Sequence, residues 1–189
     1  MKTLFQNLPG LLLLVILLLL PSITKAQEPR LQLAQLDHLA TKASETVDVN
    51  IDERLMKMAA KLFNDKDEDE AQIKQLIAGL KGVYVKSFEF DNENEYTAAD
   101  VDMVRSQLRE PAWSRLVYVS SKREGKIEVY VANLDNQING LTVLAIEPKE
   151  FTVVNIVGPV DLEKLAKLEG TLGIPELGLK DVKRKKDDQ

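Results

Sequence analysis

The chain carries two hydrophobic rhythms, and the change from one to the other sets its expected organisation. Leu36, Leu39, Ala40 and Ala43 recur at helical intervals and predict a short first helix. Val47, Val49 and Ile51 then alternate with Asp48, Asn50 and Asp52, the period of a strand. Leu55, Met58, Ala59, Leu62 and Phe63 return to helical spacing, with Asp52 placed as the N-cap. The acidic stretch Asp65 to Glu70 separates this helix from a third, which sets Ile73, Leu76, Ile77 and Leu80 on one face and ends at Gly79 and Gly82.

From Val83 the pattern is dominated by strands. Val83 to Phe90 is rich in β-branched and aromatic residues. Thr97 with Asp100 forms a capping-box start for a helix carrying Val101, Val104 and Leu108, bounded by Pro111. Four strand-like runs follow Trp113, at 115–121, 126–134, 141–147 and 150–157. Glu124-Gly125, Asn136 to Gly140 with its Asn139-Gly140 pair, and Pro148-Lys149 separate them. Spacers this short join only antiparallel neighbours, so the runs form a meander. After Gly158-Pro159, Asp161 is placed to cap a last helix with Leu162, Leu165 and Ala166, ending at Gly170. The fold class is α+β: one domain over 36–177, an antiparallel-dominated sheet with a C-terminal four-strand meander, and helices packed on one face. The strand at 46–51 is expected at an edge. Residues 27–35 read as a polar lead-in and 178–189 as a charged, disordered tail.

The N-terminus changes the picture of destination. Leu11 to Leu20 is an unbroken aliphatic run, preceded by Lys2 and closed by Pro21, with Thr24 and Ala26 at the −3 and −1 positions of a cleavage site before Gln27. Ten residues are about half the ~20 needed to cross a bilayer, so 1–26 reads as a signal peptide rather than an anchor. An exported protein, periplasmic or secreted, follows. Lys2 and Lys25 leave with the leader and no acid does, which takes the formal net charge from −5 to −7. Such an acidic chain is a poor phosphate-tracking nucleic-acid binder. The absence of cysteine removes disulfides, thiolate metal sites, cysteine nucleophiles and lipidation at a cysteine, so no stable membrane anchor is expected in the mature chain.

Candidate chemistry is sparse. Asp65-Lys66-Asp67-Glu68-Asp69-Glu70 offers carboxylates at positions 1, 3 and 5 of a calcium loop. However, Glu70 stands where glycine must make the turn and Leu76 where a bidentate glutamate is needed. The run reads better as a solvated loop whose acids favour the following helix N-terminus. His38, the single histidine, would need Ser87, Ser120 or Ser121 as a nucleophile, and no G-x-S-x-G elbow presents one. Trp113 is the one aromatic singled out for ligand stacking, against a core or sheet-edge role. No phosphate-binding glycine motif occurs, and the basic residues Lys180, Lys183, Arg184, Lys185 and Lys186 are diluted by Asp181, Asp187 and Asp188. The sequence therefore assigns no catalytic, cofactor-binding or metal residue and implies no cofactor.

Gly140 to Ala145, Phe151 to Gly158 and the Asp161-Leu162 helix start resemble a family of exported bacterial proteins catalogued only as a domain of unknown function. The Val83 to Phe90 strand and the Trp113 segment fit it too. That resemblance implies a fold rather than a site. Some members look like lipoproteins and some lie beside extracytoplasmic sigma-factor genes, which implies at most an accessory role in envelope signalling. The leading expectation is an exported, non-catalytic module that binds a protein or envelope component. The alternatives are an envelope hydrolase using Asp/Glu acid-base chemistry, with two carboxylates in one pocket and one of them raised in pKa, and a carrier of small apolar ligands.

Overall fold

The structure, a computed structural model, describes residues 28–134 and 137–161. The expected leader, last helix and charged tail lie outside the described residues, as do residues 135–136. The strands are β1 (Glu45–Asp52), β2 (Gly82–Glu89), β3 (Trp113–Ser121), β4 (Gly125–Leu134), β5 (Gln137–Ile146) and β6 (Glu150–Val157). They form one sheet in the order β1-β2-β6-β5-β4-β3, antiparallel at every step. The C-terminal meander is thus present, and the strand expected near residues 46–51 takes an edge as β1. The helical elements are a 3-10 helix (Leu33–Thr41), α1 (Glu53–Ala60), α2 (Glu68–Gly79) and α3 (Ala98–Arg105). Among the described residues no helix is long and apolar enough to cross a membrane.

The local signals that set these elements are physical. Asp52 caps α1 by accepting from the Leu55 amide, and Asp67 caps α2 by accepting from Glu70. Thr97 and Asp100 close a reciprocal capping box on α3. Gly125 turns the β3–β4 hairpin at φ +94°, where a Cβ would stand 2.1 Å from the Ile146 carbonyl oxygen.

Three expectations are corrected. Helices cover both faces of the sheet, not one. Alternate residues of β4, β5 and β6 are apolar in both directions, so Tyr130, Leu144 and Val153 pack with the 3-10 helix and α3, while Val129 and Val143 pack on the opposite face with Met56 and Leu80. A sheet apolar on both sides needs two covers. The Asn139-Gly140 pair is not a turn: β5 starts at Gln137, and Gly140 pairs with both Ala132 and Val157 beside a register shift in β4. The helical stripe of α1 also faces outward. Met56 and Ala60 are buried, whereas Leu55, Met58 and Leu62 are 38%, 56% and 84% exposed. The spacing identified a helix but not the side on which it docks.

Candidate interaction surface

On the face covered by α1 and α2, strand register lines side chains into rows across all six strands. Val49, Val85, Val154, Val143, Val129 and Val117 form a row of six valines. On one side of it run Ile51, Val83, Ile156, Leu141 and Val131, which pack with Met56, Leu76, Ile77, Leu80 and Val160. On the other side run Val47, Ser87, Thr152, Ala145, Ile127 and Val119. This outer row contains no charged residue. Its apolar ends stay open, with Val47 40%, Ile127 36% and Val119 51% exposed.

The row runs out onto β3, and the two sheet edges differ in chemistry. β1 carries Glu45, Asp48 and Asp52 in eight residues, the charge that discourages another strand from pairing. β3 has nine residues and one charge, Arg115, whose guanidinium lies over the Tyr118 ring at 4.9 Å. A register shift between Arg115 and Val117 bulges the chain at Leu116, after which Val117 to Ser121 pair regularly with β4. Leu116 and Tyr118 are 39% and 50% exposed. Among the described residues no strand pairs with the outer side of β3, so its regular half offers a backbone edge flanked by apolar side chains. Trp113, at the other end of β3, is buried in the core and serves there as an anchor.

The residues weighed for catalysis are distributed differently. His38 meets Asp100, its Nε2 2.8 Å from Oδ1, while Nδ1 lies 3.0 Å from the Gln35 carbonyl oxygen. These two contacts tie the 3-10 helix to α3 through the imidazole ring. Among the described hydrogen bonds none joins His38 to a serine. Ser87 bonds with Glu150 and Thr152 on the opposite face, and the Ser121 hydroxyl accepts from the Arg123 and Glu124 amides in the β3–β4 turn. In the acidic run, Asp65 pairs with Lys74 at 2.7 Å and Glu70 accepts from the Asn64 amide. Among the described residues no three of His, Cys, Asp or Glu converge as a metal would require.

Burial works to raise the Asp100 carboxyl, but hydrogen bonds from Thr97 and His38 outweigh it and hold its pKa low. A carboxyl lowered by folding contributes stability above its unfolded value near ~3.9, lost as pH falls through the folded value. Asp100→Asn is expected to lower stability by about 1 kcal/mol at neutral pH, the usual worth of a cap. Denaturant melts from neutral pH to about pH 2 should show a shallower acid loss than in the parent. An unchanged acid limb would mean that Asp100 gains nothing from these partners.

Two clefts hold the acids of interest. One of about 460 Å³ lies beside β1 and β2 and contains Asp37 and Asp48, both bonded to the Lys86 ammonium. Burial opposes the charge on Lys86, and the two carboxylates more than restore it, so its pKa is raised. A second, of about 200 Å³, is lined by Tyr96, Arg105, Lys126 and Glu147. Burial, then Glu150 and Glu124, push Glu147 up, and burial with the Glu147 charge pushes Tyr96 up to about 12. The first cleft thus holds two carboxylates bridged by a cation, and the second one carboxylate, Glu147, whose pKa is raised. Glu128, the most deeply buried acid described, lies instead in an ion pair with Arg105 at 2.6 Å and accepts from the Tyr130 hydroxyl at 2.7 Å.

The family model described as Domain of unknown function (DUF4252) matches residues 41–168, well over half of the chain. The chain belongs to DUF4252. The matched span holds all six strands and α1 to α3, and it begins at the last residue of the 3-10 helix. The open row and the β3 edge are thus parts of the DUF4252 domain itself. No curated protein matches the chain.

Proposed function

We propose that this DUF4252 chain is an exported, non-catalytic binding module of the bacterial envelope that docks a protein partner by strand addition at β3. The observation that carries this reading is the uncharged outer row running across the sheet through Ile127 and Val119 to an edge that no other described strand pairs, with Tyr118 exposed on the same strand. A partner strand added there pairs its backbone with β3 and sets alternate apolar side chains beside Val117 and Val119, which extends the row. The acidic β1 edge makes the docking one-sided. Export rests on the leader pattern of residues 1–26, and an accessory role in envelope signalling is the finer expectation.

Photo-crosslinking in intact cells tests the binding. A crosslinker at Tyr118 is expected to give one defined protein adduct and a crosslinker at Asp48 none. Tyr118→Lys with Val119→Lys should abolish the adduct formed from a neighbouring probe at Ser120 while changing stability by less than about 1 kcal/mol, since these positions are exposed. Equal adducts from both edges would refute the β3 assignment. Export has its own measurement: N-terminal sequencing of the mature chain should begin at Gln27, and an intact Met1 in the fully processed protein would refute it.

A further inference from the structure

Residues 28–32, within the stretch expected as a polar lead-in, cross the sheet face shared with α3 as a docked strap. The Leu31 amide donates to Asn155 Oδ1 at 3.0 Å, and Asn155 Nδ2 donates back to the Pro29 carbonyl oxygen at 3.0 Å and to Thr142 Oγ1 at 3.1 Å. One residue on, the Gln32 amide donates to Gln107 Oε1 at 2.8 Å, and Gln107 Nε2 returns a bond to the Gln32 carbonyl at 3.4 Å. Two side-chain carboxamides, one of them on the fully buried Asn155, thus each bond both an amide and a carbonyl of the strap's main chain. Side-chain readers add to them. Pro29 fits over Gly140, where a Cβ would stand 2.7 Å from the Pro29 Cβ; Arg30 stacks on Tyr84 at 4.2 Å; Leu31 is buried in the core.

We propose that this groove is a peptide-binding site with residues 28–32 as its resident occupant, and that a Pro-x-Leu segment of another polypeptide binds there in exchange. The strap sits between two open clefts of about 460 and 410 Å³ and is held by side chains, without a strand ladder. It also lies outside the span matched by the family, whereas Tyr84, Gln107, Gly140, Thr142 and Asn155 all lie inside it. The receptor therefore belongs to the domain, and its cis occupant is an addition to it. An occupant tethered this closely competes at high effective concentration, so the site stays closed until a partner segment or a weakened strap shifts the balance.

Trp113, the single tryptophan of the chain, lines the second cleft beside Pro29 and reports on the strap. The chain from Gln27 onward keeps every described residue and serves for the test. Leu31→Asp weakens the strap and leaves the groove intact; Gly140→Ala ejects the strap and also blocks any incoming proline. Both variants should show red-shifted Trp113 emission with unchanged far-ultraviolet dichroism. A synthetic peptide spanning Glu28 to Leu33 should restore the emission of Leu31→Asp saturably, at least about tenfold more tightly than it binds the parent. It should leave Gly140→Ala unrestored. Native-state hydrogen exchange on the parent gives a second reading: Leu31 and Gln32 amides should exchange at least about 100-fold faster than Val153 in β6. Failure of the peptide to restore folded Leu31→Asp overturns the proposal, as does strap exchange matching that of Val153. Lysines at Tyr118 and Val119 should leave peptide binding unchanged, which separates this site from the β3 reading.

Discussion

Replacing Arg105 with methionine is expected to cost about 3 kcal/mol and to reverse the pH dependence tied to Glu128. The Glu128 side chain is 1% exposed, and its carboxylate is held by the Arg105 guanidinium and the Tyr130 hydroxyl. Burial alone would raise this acid, and the donors from Arg105 and Tyr130 outweigh it, leaving the pKa lowered. In the parent its stabilising contribution is therefore present above the ordinary carboxylate value near ~4.3 and lost as pH falls through the folded value. Without Arg105 the remaining donor to the carboxylate is a neutral hydroxyl, Arg115 acts on it only through space as the smallest of the lowering causes, and burial prevails. The folded pKa then lies above the unfolded one, so the variant loses stability as pH rises through ~4.3 toward that new value. The cost sits at the low end of the range for a broken buried pair because Arg105 is itself 33% exposed. Urea denaturation at about pH 5 and about pH 8 separates the cases: the variant should be more stable at the lower pH, opposite in sign to the Glu128 contribution in the parent. Adding Glu128→Leu should recover much of the loss, since two apolar residues leave no stranded charge. A variant with the parental pH profile would show that Arg105 is not what holds Glu128 ionised.

How much of this was legible in the sequence depended on whether the signal was local. Asp52 and the Thr97–Asp100 box are contacts within one turn, so residue identity located α1 and α3. The meander was readable for the same reason, since short spacers permit only hairpin neighbours. Pairing of β2 with β6 was not, because 60 or more residues separate partners such as Phe88 and Phe151. The outward stripe of α1 shows the limit of periodicity, which gives an amphipathic axis but not the packing partner. The site followed the same division. Val119 and Ile127 were visible as strand residues, but their row with Val47 needs five registers at once. Asn155 reads as one polar residue in the apolar run Phe151 to Val157, a hint that something polar must reach it. Nothing in the sequence names its partner, 124 residues away at Leu31.

Phe151→Ala is expected to cost about 3–5 kcal/mol, the range for an emptied aromatic site in a core. Phe151 is fully buried on β6 opposite Phe88, and its ring stacks on Tyr96 with centroids 5.2 Å apart and planes 16° from parallel. Tyr96 in turn stacks on Phe90 at 5.7 Å, so three rings join the sheet to the loop that leads into α3. The cavity left by alanine borders Tyr96, whose phenol is pushed up to about 12 by burial and by the Glu147 charge. A phenol raised by folding keeps its full stabilising contribution below its unfolded value near ~10 and loses it between there and about pH 12. Admitting water beside the ring removes the larger cause, so the Phe151→Ala phenolate should form closer to pH 10. Ultraviolet difference titration reads the tyrosinate and thermal denaturation reads the stability. A loss of stability with unchanged titration would locate the damage in β6 packing alone, and a shifted titration with little loss would mean that the core refills around Tyr96. Both changes together are what a shared aromatic stack requires.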